Sequence, residues 1–205
     1  EAPPKVPVET FFALNQFNDI KISPTGEYLA AQIPTENRTA LVIFRRANMQ
    51  VTGKVVLEAK AHVDWFEWVN PERLIFTAGK KLGRLSAPVS VDGVFGTNAD
   101  GSKQGRIDIY KDDRSTHFSQ FQVTRVLDTL PDDDDRILVE IYNLDKQEYQ
   151  VNKMNVYAGT LTDVATRAPG KNASFYSDNK GVIRFASSSR YDLGTVMYYR
   201  DAARE

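Results

Sequence analysis

Ile20-Lys21-Ile22-Ser23-Pro24-Thr25-Gly26-Glu27-Tyr28-Leu29-Ala30-Ala31-Gln32 is the stretch from which the fold is read. It predicts a short strand at 20–22, a tight turn at 23–26 and a second strand over 27–33. Pro24 presets φ for the first inner turn position, and Gly26 accepts the positive φ that such turns need. In the second strand Tyr28, Ala30 and Gln32 share one face, and Leu29, Ala31 and Ile33 the other. Both faces are largely apolar, so the strand is expected to be covered on both sides. Ala30 and Ala31 are weak strand formers, and small residues there imply that neighbouring layers come close.

The same phrase returns along the chain. Asn70-Pro71-Glu72-Arg73 leads into Leu74-Ile75-Phe76-Thr77, Leu130 to Arg136 into Ile137-Leu138-Val139-Glu140-Ile141, and Ser177 to Gly181 into Val182-Ile183-Arg184-Phe185-Ala186. Aligning Tyr28, Leu74, Ile137 and Val182 gives intervals of 46, 63 and 45 residues. Two of these lie close to the spacing of a four-stranded propeller blade, and the long one is read as carrying an insertion near Ser86 to Gly105.

Composition limits what the chain can do. Of its 205 residues 41% are hydrophobic, enough for a sizeable core, and the net charge is -1 with both signs mixed. A nucleic-acid partner is not expected, because such surfaces carry a basic stripe. No apolar run approaches the roughly 20 residues that span a bilayer, so no membrane span is expected. There is no cysteine, which removes disulfides and thiolate chemistry without fixing a compartment. The opening Glu1-Ala2-Pro3-Pro4-Lys5, with no initiator Met, reads as a mature end left by signal-peptide removal or as the boundary of an excised piece, the first being the expectation.

The expected architecture is all-β: about four blades of a partial β-propeller over residues 18–205, after an N-terminal extension and short helix over 1–17. The helix is placed around Pro7 to Leu14, with Glu9 in its first turn and Phe11, Phe12 and Leu14 as anchors. First-blade strands are expected near 20–22, 27–33, 39–45 and 54–58, with Met49 to Gly53 as a turn. The second blade runs from Val63 through Arg73 to Ala78, a bulged strand over Pro88 to Thr97, a hairpin at Asn98 to Ser102, and Arg106 to Tyr110. Lys111 to Gln120 is read as an exposed loop. The third blade starts at Phe121 or Gln122, turns at the four aspartates, continues through Tyr142, and ends on outer strands at Asn152 to Tyr157 and Thr160 to Thr166. The fourth runs from Ser174 through Ala186 to Tyr199.

Val8-Glu9-Thr10-Phe11-Phe12, Ile22 to Ala30 and Phe66-Glu67-Trp68-Val69-Asn70-Pro71-Glu72-Arg73-Leu74 together resemble the N-terminal part of the bacterial prolyl oligopeptidase family, in its acylaminoacyl peptidase and dipeptidyl aminopeptidase-like branch. Asn98 to Ser102 matches a hairpin often seen there. The Ser-Pro-x-Gly-x-x-Leu phrase alone also occurs in TolB-type propellers. The resemblance implies a propeller over a C-terminal α/β-hydrolase domain that this sequence does not contain. The propeller would gate peptide substrates in a periplasmic or secreted serine peptidase. The family's Gly-x-Ser-x-Gly elbow is absent from these residues, as is a paired glutamate for holding a substrate amine. The chain itself is therefore expected to carry no catalytic, cofactor-binding or metal site. The alternative is a stand-alone binding propeller, TolB-like, in periplasmic protein assembly.

Several residues were weighed as sites. His62 and His117 are the only histidines, and without cysteine or a His-x-x-x-His spacing they do not suggest zinc. Asp132 to Asp135 have the oxygens for calcium but read better as a solvated turn. Asn98, Asp100 and Gly101 resemble the start of a calcium loop, but the residues after Gly101 do not continue it. Lys80, Lys81 and Arg84 form a basic loop that could meet a substrate carboxylate, though an ordinary exposed loop is the simpler reading. Trp65 and Trp68 fall on opposite faces of a strand and are read as packing between blades rather than stacking on a ligand. Blades left without a neighbour would expose some of Val182, Ile183, Phe185, Val196, Met197, Tyr198 and Tyr199 as an apolar patch, so self-association through the terminal blades, or a disordered or rearranged last blade, is also expected.

Overall fold

The computed structural model describes residues 16–35, 37–80, 89–108, 121–143, 147–170, 172–190, 192 and 194–201. The expected N-terminal helix, Lys81, Arg84, His117 and the loop at 111–120 lie outside them. Within them the chain is all-β, with no helix.

Among the described residues fifteen strands follow one another as antiparallel meanders. The first meander is β1 (Asp19–Ile22), β2 (Tyr28–Pro34), β3 (Thr39–Arg45) and β4 (Gln50–Val55). The second is β5 (Ala61–Trp68), β6 (Arg73–Lys80), β7 (Val89–Asn98) and β8 (Gly105–Arg106), joined to the first by one parallel bridge between Thr39 and His62. The third is β9 (Phe121–Asp128), β10 (Arg136–Asn143), β11 (Glu148–Asn155) and β12 (Leu161–Arg167). The fourth has three strands, β13 (Ser174–Ser177), β14 (Ile183–Ser189) and β15 (Thr195–Tyr199). The sheets are open.

The repeated phrase occupies the same place in each meander, the turn from its first to its second strand. The local chemistry repeats with it. A polar side chain at the turn accepts backbone N–H groups: Ser23 Oγ from Tyr28, Asn70 Oδ1 from Glu72 and Arg73, Asp128 Oδ1 from Leu130, and Asp178 Oδ1 from Lys180 and Val182. These side chains satisfy donors that the tight backbone leaves unpaired. Gly26 takes φ 73° as expected.

Three apolar layers separate the four meanders. Ala30, Leu41, Ile43 and Val55 meet Val63, Phe66, Trp68, Leu74 and Phe76 in the first layer. Ile75 and Val94 meet Val123, Ile137, Val139, Ile141 and Met154 in the second. Leu138 and Val151 meet Phe175, Ile183 and Ala186 in the third. Alternate residues of one strand thus serve different layers: Leu74 and Phe76 face back, Ile75 faces forward. This is why the sequence shows apolar residues on both faces. Each fully buried Leu, Ile or Phe contributes about 1.5–3 kcal/mol.

Three expectations need correction. The fourth strand of the first meander is Gln50–Val55, not 54–58, because the turn is already complete at Arg46 to Met49, where Met49 takes φ 56° and its N–H bonds to the Arg45 carbonyl. Gly53 therefore belongs to a strand, and its missing side chain serves close packing: a Cβ there would lie 2.9 Å from Gly101 N and 3.0 Å from Ala99 O. The third strand of the third meander is Glu148–Asn155 rather than 152–157, because Asn155 Oδ1 accepts the N–H groups of Tyr157 and Ala158 and starts a turn there. Residues 89–98 are a paired strand rather than an insertion, and its register shift, Thr77 opposite Val94 but Ala78 opposite Val91, is the bulge expected over Pro88 to Thr97. The extra length of the second repeat lies in the sequence between β6 and β7 and between β8 and β9.

Candidate functional site

The junctions between meanders hold buried polar groups that sequence reading passed over. Arg73, 1% exposed, begins β6 and reaches across to the third meander. Its Nε and Nη2 donate to the Val156 carbonyl at 3.1 and 2.8 Å, and Nη1 donates to the Lys103 carbonyl at 2.9 Å and to Asn98 Oδ1 at 3.2 Å. Tyr157 lies against the guanidinium, 4.9 Å from ring centroid to Cζ. Burial pushes the Arg73 pKa below its ordinary value. Gly96 makes room for this arginine, since a Cβ there would collide with Nη2. Asn70 adds a second tie, donating to the Asp134 carbonyl and to the Tyr157 hydroxyl.

Glu140 plays the matching part at the next junction. It is 5% exposed, pairs with Arg125 at 3.2 Å, and accepts bonds from Thr124 Oγ1 and from the backbone N–H of Phe175 in the fourth meander. Arg125 also donates to the Phe175 carbonyl at 2.8 Å. A lone glutamate inside Ile137 to Ile141 was the sequence signal for this site, because a charge in a buried strand needs partners. Arg73 gave no comparable signal, since it sits at the end of a polar turn.

The residues weighed from sequence fall into structural roles. His62 is buried at the joint of the first two meanders, where Nδ1 and Thr39 Oγ1 share a 3.0 Å hydrogen bond. Trp65 packs in the second layer and Trp68 in the first, on opposite faces as expected. Trp68 Nε1 donates to the Lys21 carbonyl, and its ring stacks on Tyr28. Lys21 itself bonds Glu67 at 2.7 Å across the same junction. Asp133 pairs with Arg136 and Lys153, while the Asp134 and Asp135 carbonyls accept bonds from Asn70 and Val156. Asp100 Oδ1 caps the hairpin by accepting from the Ser102 N–H at 2.8 Å, and its bonds to Ser102 hold its carboxyl below the usual range. Asn98 Oδ1 is taken by Arg73. Lys80 ends β6 in solvent. Among the described residues no three His, Cys, Asp or Glu side chains group as metal ligands.

What remains as a candidate site is the fourth meander. Cross-strand partners Tyr176, Phe185 and Tyr199 form one row on its outer face, 45%, 44% and 66% exposed, with Met197 beside them. A cavity of about 320 Å³ opens where β14 starts and β15 ends, walled mainly by Pro169, Phe175, Ile183, Phe185, Ala186 and Tyr198. Arg184 also lines it. Its Nε pairs with Asp178 at 3.0 Å, while its Nη1 is buried and meets no acceptor. A concave apolar wall with one under-satisfied cation is the kind of surface that takes an apolar group next to an acceptor.

No family model and no curated protein matches this chain. Among solved structures, a conserved lipoprotein of Clostridium novyi NT is similar at 13% identity, over 69% of this chain and 88% of that one, with a TM-score of 0.44. Kuenenia stuttgartiensis hydrazine synthase is similar at 12% identity, over 88% and 58%, with a TM-score of 0.42. TolB from Acinetobacter baumannii is similar at 12% identity, over 90% and 40%, also with a TM-score of 0.42. This chain therefore spans less than two thirds of the latter two. Likeness of this degree carries no argument about function.

Proposed function

We propose that each meander is one blade of a β-propeller, and that the chain is a run of blades that binds and sorts peptides without chemistry of its own. The observation that carries this reading is the recurrence of one turn-and-strand unit at the same place in all four meanders, stacked face to face through apolar layers. The motifs shared with the prolyl oligopeptidase family extend it. On that extension the blades gate access to the α/β-hydrolase domain of a periplasmic or secreted serine peptidase, whose reaction is acyl transfer to serine followed by hydrolysis. A second reading, a stand-alone binding propeller, is favoured by the exposed row of Tyr176, Phe185 and Tyr199.

A serine-reactive fluorophosphonate probe tests these readings. The 205-residue chain is expected to give no site-specific labelling and no peptide hydrolysis. The protein encoded by the complete reading frame is expected to label at one serine in a Gly-x-Ser-x-Gly elbow. Labelling at a single serine within residues 1–205 overturns the non-catalytic reading. A complete frame without such a serine overturns gating and leaves the stand-alone reading.

Both end faces also offer packing surface. Ile22, Leu29, Phe44 and Val51 are cross-strand partners on the outer face of the first meander, with Ile22 and Val51 53% and 52% exposed. The isolated chain is expected to self-associate at micromolar concentration through these faces. Sedimentation velocity checks it, and Ile22→Ser with Phe185→Ser should shift the population to monomer.

A further inference from the structure

We draw no further inference here: the strongest candidate, the cleft of about 240 Å³ between β9 and β13 lined by Arg125, Tyr176 and Ser177, carries nothing, because the Arg125 guanidinium is already engaged by Glu140 and the Phe175 carbonyl, Tyr176 belongs to the outer face described above, and nothing in the structure shows what would occupy the cleft.

Discussion

Arg73 is the residue on which the second and third meanders depend most. It satisfies three carbonyl-type acceptors at once, that of Val156 buried, and has no carboxylate partner among its contacts. Arg73→Leu leaves those acceptors unpaired, and the expected loss is about 3 kcal/mol in denaturant unfolding. Gly96→Ala should also destabilise, because its new methyl would occupy the space of Nη2. Combined with Arg73→Leu its cost should shrink, giving a measurable coupling in a double-mutant cycle. Asp178 predicts a pH effect. The N–H groups of Val182 and Lys180, and then the Arg184 guanidinium, hold its carboxyl below the usual range. A carboxyl lowered in the folded state contributes stability above its unfolded pKa of about 3.9, and that contribution is lost as pH falls through the folded value. Thermal midpoints measured from pH 6 down to pH 2 should therefore fall less steeply for Asp178→Asn than for the parent. At this scale the sequence was only partly legible. Gly26 could be placed because a Pro-x-Gly turn demands positive φ, but Gly53 was misplaced. A glycine at a strand-to-strand contact has no local signature, and only the approach of residues 99–101 shows its purpose.

The strands were legible wherever a polar turn ran into an apolar run. The second strands β6 and β10 came through best, because they are buried on both faces and carry long apolar stretches. Leu74 and Ile137 lie near their starts, and both are 0% exposed. Each sits in a different layer, Leu74 in the first and Ile137 in the second. Leu74→Asp and Ile137→Asp each bury a carboxylate without a partner, so each should cost more than about 3 kcal/mol or prevent folding. Chemical unfolding midpoints equal to the parent's would show that the two residues do not occupy these layers. Outer strands were less legible. They are half exposed, their apolar pattern is diluted, and their limits are set by turn hydrogen bonds such as those of Asn155 and Met49 rather than by periodicity. The exposure of individual β15 residues could not be read at all. A strand's sequence does not state how many neighbours it has, and Tyr198 and Tyr199 read equally well as core or surface.

For the molecule as a whole, the proposed arrangement is that the four meanders stack in chain order and fan about an axis as propeller blades. The stacking order is visible in the three layers, but neither composition nor spacing gives curvature. The equivalent turns offer a direct way to measure it. Thr25, Glu72, Asp132 and Lys180 are exposed residues in the first-to-second turns of the successive meanders. The chain has no native cysteine, so spin labels can be placed on paired cysteine substitutions without background. Pulsed electron paramagnetic resonance from Thr25→Cys to each of the other three then maps the arrangement. The account predicts narrow distributions, separations that grow from Glu72→Cys to Asp132→Cys, and a third step to Lys180→Cys that adds less than the second did. Equal increments at every step would contradict it by showing a straight stack, and broad distributions would contradict it by showing that the meanders do not hold one arrangement.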